Sequence, residues 1–268
     1  MTWCHYVPQF YIRYFGINEK QTIRYDRKTG VIIPVSIESF CGEEDFFSFD
    51  KESLNNLPKH LRWIDKDLVE TQLAVHIEGP VDSILKKIIQ NGSLSSVSMN
   101  EILMLLEWAA WIFIANPTSL AIHSISCITD RFKNIDRSKL TNTERLQLFT
   151  DLHKEITPVF QQRGWLLQLI DPEHGHLLSS DRPVMLGGKS LQESIQLSNQ
   201  TIFFPLSPSL LLVGNNNPVW GYASKPLESK KEAALLSNIL VLDQAYRYVF
   251  AADRNDIDSL LNTLKLPA

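Results

Sequence analysis

Hydrophobic and polar positions alternate over residues 22–25, residues 31–37 are a strand-like run rich in valine and isoleucine, and the turn-rich spacer Asp26-Arg27-Lys28-Thr29-Gly30 lies between them. That pattern predicts a β-hairpin. An acidic-aromatic stretch follows, Glu43, Glu44, Asp45 and Asp50 around Phe46, Phe47 and Phe49, and then the period changes. Val81, Ile84, Leu85, Ile88 and Ile89 recur at helical spacing behind Pro80, and Thr141 with Glu144 makes a capping box for a helix running to about Gln162. Residues 102–128 carry one formal charge, Glu107, and are broken by Asn116-Pro117. The unbroken run falls well short of the roughly 20 apolar residues a bilayer requires, so it predicts a helix buried on all sides, ending near Pro117 and followed by a second. Short β-rich runs return at 165–170, 177–179, 202–204, 210–213 and 219–223. A long helix from about Ser229 to Ala251 and a short one from Asp256 to Leu264 complete the pattern. Strands, then helices, then strands predict a single α+β domain. Its N-terminal short helix and hairpin occupy 1–50 and a helical middle 51–163. Over 164–268 a mostly antiparallel sheet packs on a long buried helix.

Composition narrows the class. A chain of 268 residues with 44% hydrophobic content can build a real core, and 21% charged residues are too few for wholesale disorder. The net charge of -4 gives no global basic field, which argues against a tight non-specific nucleic-acid binder; a nuclease with a local basic groove stays open. Cys4, Cys41 and Cys127 are odd in number and far apart, fitting neither a disulfide framework nor a C-x-x-C motif. The opening residues have no basic region or continuous apolar run of a signal peptide. A cytoplasmic protein without a membrane partner is the expectation.

The densest chemistry lies in His5-Tyr6-Val7-Pro8-Gln9-Phe10-Tyr11-Ile12-Arg13-Tyr14-Phe15. Pro8 can start a short helix that Gly16 ends, with Phe10/Tyr14 and Tyr11/Phe15 as inward stripes and Gln9 and Arg13 sharing another face. His5, just before that helix, can join its free amides, Gln9 and Arg13 around a phosphate or carboxylate. In the plainer reading His5 bonds a backbone carbonyl and Arg13 pairs with an acid such as Glu43. Asp181, at a strand end before Pro183, suits a general base or metal ligand and equally an Asx-turn. In the final apolar helix Asn238, Asp243, Gln244 and Arg247 need partners, and Asp243 and Arg247, four apart, can pair. The sharper alternative makes that helix the floor of a polar pocket shared with His5 and Asp181. His174-Gly175-His176 lacks the neighbours of a known metal site, Gly187-Gly188-Lys189-Ser190 lacks the first glycine of a P-loop, and no H-E-x-x-H, G-x-S-x-G or G-x-G-x-x-G occurs.

HYVPQFYIRYF resembles the signature of a bacterial family, domain of unknown function 4238. Residues 42–48 (GEEDFFS), 179–184 (SSDRPV), 203–208 (FFPLSP) and 245–250 (AYRYVF) resemble its later segments in the same order. The resemblance implies no established activity; it implies an association of some members with defence against phage, a setting that suits a toxic or nucleolytic effector. Two readings follow. In one the chain is a hydrolase, most plausibly nuclease-like: His5 is general acid or base, Arg13 or Arg247 (with Gln9) binds phosphate, and Asp181 or Glu43 orients the histidine or holds a divalent ion, with Asn238 and Asp243 supporting. In the other it is a non-catalytic sensor or interaction module whose polar motifs serve the fold. No motif indicates a cofactor.

Overall fold

The opening segment forms a strand, β1 (Trp3–His5), and a one-turn helix, α1 (Gln9–Arg13), preceded by Pro8. A computed structural model describes residues 3–61, 64–117, 140–187, 200–216, 227–228 and 231–265. The two strand-like runs fold into the expected hairpin, β2 (Gln21–Asp26) against β3 (Val31–Ser36), paired from Gln21↔Ser36 to Asp26↔Val31. Asp26 Oδ1 accepts from the Lys28 N–H at 2.9 Å, and Gly30 closes the turn at φ 71°, a region that favours glycine. β4 (Gly42–Glu44) returns to pair antiparallel with β1, setting Cys4 opposite Glu43.

The helical middle comprises α2 (Lys51–Asn55), α3 (Leu68–Leu73), which continues through a wide turn at Ala74–Glu78 into α4 (Gly79–Asn91), α5 (Met99–Ile114) and α6 (Asn142–Gln161). The Thr141/Glu144 capping box forms in both directions, as does a second at Ser98/Glu101. α5 buries Leu105, Trp108, Ala109, Ile112 and Phe113. Its expected successor helix lies at 118–139, outside the described residues. No helix among the described residues is long and apolar enough to cross a membrane.

The C-terminal third supplies β5 (Gly164–Leu169), β6 (Ser179–Ser180), β7 (Met185–Gly187), β8 (Thr201–Ser207), β9 (Leu210–Asn215), β10 (Leu227–Glu228), α7 (Lys231–Gln244), β11 (Tyr248–Ala251) and α8 (Arg254–Leu264). The run expected at 219–223 lies outside the described residues. The architecture is α+β, as predicted, with these strands shared between two larger sheets. One has the order β10-β5-β9-β8-β7, antiparallel except for β10 against β5; the other, β3-β2-β11-β6, joins the hairpin to the chain's last strand. A large core gathers α1, α4, α5, α6 and the first sheet around Tyr11, Trp108, Phe149, Phe160 and Phe204. A smaller one packs α7 and α8 against β2 and β11.

The long closing helix expected from 229 to 251 is corrected. α7 ends at Gln244, and Tyr248–Ala251 is a strand between β2 and β6. An apolar run of this length suits a buried strand as well as a helix, and periodicity alone does not separate them. Nor is the helix buried all round: Leu235 and Leu236 are 37% and 48% exposed.

Candidate functional site

The segments from the opening signature, residues 179–184, residues 203–208 and residues 245–250 meet in one buried hub. Tyr11, fully enclosed on α1, donates its hydroxyl to the Pro205 carbonyl at 2.7 Å and lies 2.8 Å from Ser179 Oγ. At the next residue, Ser180 Oγ accepts from the Arg182 N–H at 3.1 Å, so the serine, not Asp181, makes the local turn. Asp181 reaches across instead. Its carboxylate accepts the N–H groups of Tyr246 (2.8 Å), Arg247 (2.7 Å) and Tyr248 (2.9 Å), where the chain leaves α7 for β11. Those amides are therefore unavailable to extend the helix, the local reason α7 stops. Burial pushes the Asp181 carboxyl up to about 6 against the pull of the three N–H donors and of Arg182, so it is a carboxylate at neutral pH. Arg182 is buried too, and burial lowers its guanidinium to about 10, opposed by Asp181. Tyr6 packs against Phe46 with tilted rings, bringing residues 42–48 beside the opening signature, and Phe40 meets Tyr248 edge-on.

The expected site residues fall into separate places. His5, Gln9 and Arg13 form a row along the outer side of α1. Gln9 Nε2 lies 3.4 Å from His5 Nδ1, Arg13 donates to Gln9 Oε1 at 3.5 Å, and His5 Nε2 is 3.3 Å from the Glu38 carbonyl oxygen. Burial lowers the His5 pKa, against the Glu38 carbonyl, so the ring is neutral at pH 7. Beside the row a groove of about 230 Å³ is lined by Gln9, Arg13, Glu19, Lys20 and Glu38, together with Ile37. Glu43 is on β4, and the cation acting on it is Arg145, not Arg13. The expected Asp243–Arg247 pair is not made. With the helix ended at Gln244 the two are no longer one turn apart, Asp243 is exposed, and Arg247 grips Asp26 on β2 through Nε (3.0 Å) and Nη2 (2.8 Å). Asn238 and Gln244 each clamp extended backbone with both ends of the amide. Asn238 accepts from Leu178 N–H and donates to the His176 carbonyl, both at 2.8 Å; Gln244 does the same with both backbone groups of Leu186. The shared pocket expected for His5, Asp181 and the closing helix is thus not assembled: no hydrogen bond or ion pair among the described residues links the His5 row to Asp181.

α7 does border a cavity, with other partners. About 470 Å³ opens between α7, α8 and the turn at Pro172–His174. His176 Nδ1 sits 3.2 Å from Asp256 Oδ2, and burial raises the Asp256 carboxyl while His176 pulls it down. His174-Gly175-His176 lacks, along the chain, the cysteine or carboxylate spacing of a known metal site. Asp256 arrives from 80 residues away, and the only prior signal was its place in a polar first turn of α8. No three His, Cys, Asp or Glu side chains among the described residues are grouped to hold a metal ion.

A family model described as "Protein of unknown function (DUF4238)" matches residues 5–255. The chain belongs to the DUF4238 family. No curated protein and no solved structure matches it. The match begins at His5 in β1 and ends at Asn255 in the first turn of α8, so it takes in the hub, the His5 row and both histidines of the cavity, and stops one residue before Asp256.

Proposed function

We propose that this DUF4238 protein is a non-catalytic binding protein, a sensor or interaction module in which the hub side chains serve the fold. What carries the reading is Asp181: its carboxylate is fully enclosed and spends its oxygens on three successive backbone amides. A general base or metal ligand needs a lone pair directed at the reacting group. The exposed groove beside α1 bears Arg13 and Lys20 with Glu19 and Glu38, a mixture of signs that suits a protein segment better than a polyanionic nucleic acid. The defence setting implied by the family resemblance belongs to this proposal as context, with the chain as the part that recognises.

A second reading keeps hydrolysis, on one observation. His5, held neutral by burial, stands at the end of the Gln9–Arg13 row with Nε2 donating to the Glu38 carbonyl. Once the long 3.4 Å Gln9 contact gives way, its Nδ1 can take a proton from water near an anion held by Arg13. One assay separates the readings. Wild type and His5→Ala, matched for folding by circular dichroism, are incubated with single- and double-stranded DNA and RNA in Mg²⁺ or Mn²⁺. The expected result is no cleavage above the His5→Ala background; turnover in wild type that His5→Ala lacks overturns the binding-protein reading.

A further inference from the structure

The cavity between α7 and α8 has a chemistry distinct from the hub. Among the described residues that line it there is no lysine or arginine, and the one carboxylate is Asp256, whose side chain is 16% exposed. Histidine orientation adds to that polarity. His176 Nδ1 faces the Asp256 carboxylate at 3.2 and 3.3 Å, so in the neutral ring the proton sits on Nδ1 and the lone pair on Nε2. The backbone bearing His176 is itself fixed, because the Asn238 amide holds the His176 carbonyl and the Leu178 N–H. His174 Nδ1 is buried without a partner; an orphaned N–H costs more than an orphaned lone pair, so its proton sits on Nε2. The remaining wall sets the apolar side chains of Ala234 and Leu260, both buried, and of Leu235, 37% exposed, beside Ser259 and Thr263. A volume of about 470 Å³ falls within the range of small-molecule sites.

We propose that this cavity binds a small organic cation, an ammonium carried on an apolar body. The ammonium donates to Asp256 and to Nε2 of His176, and the body packs on Leu235 and Leu260. A carboxylate with one histidine partner, and no lysine or arginine among the described lining residues, favours a cationic guest over an anionic one, and Leu235 and Leu260 favour a guest with a hydrocarbon part over a bare ion. The site is separate from the groove beside α1, and the assignment holds whether or not the hub is purely architectural.

The test is calorimetric titration with three matched probes: 2-phenylethylammonium, 2-phenylethanol and phenylacetate. The ammonium is expected to bind at least tenfold more tightly than the alcohol, and the carboxylate not at all. Asp256→Asn, close in shape to the original, is expected to weaken ammonium binding at least tenfold while leaving the alcohol unchanged. Leu235→Arg, at a partly exposed wall position, brings a cation of its own and is expected to abolish binding with the melting temperature kept; it stands in if Asp256→Asn fails to fold. Equal affinity for the three probes, preference for phenylacetate, absence of binding by all three, or undiminished ammonium binding in Leu235→Arg each overturns the proposal.

Discussion

The hub beneath α1 and the cavity between α7 and α8 are both polar, yet they are built on opposite principles. In the hub Tyr11 and Asp181 each spend their hydrogen-bonding capacity on other parts of the chain, and both are fully enclosed. In the cavity Asp256 has a single histidine partner and the imidazole of His176 keeps a nitrogen free beside open space. A saturated buried network selects one fold, because any rearrangement strands its members in a low dielectric. A polar wall with capacity in hand beside a void selects a ligand. Density of unusual residues in a sequence therefore locates the first kind of place more readily than the second.

The contrast can be broken most forcefully at Asp181. Asp181→Ala leaves three N–H groups without their acceptor and empties a fully enclosed position, and we expect a loss of roughly 3–5 kcal/mol, a fall in Tm of about 10 °C or more. A melt within about 2 °C of wild type would remove the hub's architectural role. Tyr11→Phe is the milder version: it strands the Pro205 carbonyl without opening a cavity, for about 1–3 kcal/mol by chemical denaturation.

The Asp26–Arg247 pair, at the hub's edge, sharpens the contrast through pH. Burial works to raise the Asp26 pKa, but hydrogen bonds from Arg247 and from the Lys28 N–H outweigh it and hold the carboxyl below its ordinary value. A depressed folded pKa contributes stability above the unfolded value, about 3.9, and that contribution is lost as pH falls through the folded one. Asp26→Asn should therefore cost about 1 kcal/mol at pH 7, since Arg247 is partly exposed, with urea midpoints of variant and wild type converging below about pH 4. A gap that persists at acid pH would assign the effect to packing. The smallest change is expected at the outer row: Gln9→Ala and Arg13→Ala should each shift stability by no more than about 0.5 kcal/mol, because neither holds anything but its neighbour.

Where the deciding contact was local, the sequence was legible. The hairpin followed from two strand-like runs and a turn spacer, α6 from its Thr141/Glu144 box, and the Gln9–Arg13 face from a spacing of four. The end of α7 was not, because its cause is a carboxylate 65 to 67 residues upstream. The His176–Asp256 pair was hidden likewise, across 80 residues. The candidate site residues lie where chemistry clusters along the chain. The fold used Asp181, Arg247 and Asn238 to fasten distant backbone and side chains, leaving only His5, Gln9 and Arg13 together.

The second sheet has a consequence for the protein's birth on the ribosome. β2 acquires its second neighbour only when β11 has been made, and the ion pair across that junction joins residues 221 apart in sequence. At translation rates of roughly 5–20 residues per second, the hairpin waits some 10–40 seconds with one edge unpaired. Throughout that interval Asp26, Thr22 and Ile23 lack the partners that later enclose them, and the nascent chain offers a strand edge to any other chain within reach. Synthesis of residues 248–251, long after that of the hairpin, is the step that commits this molecule to its native sheet.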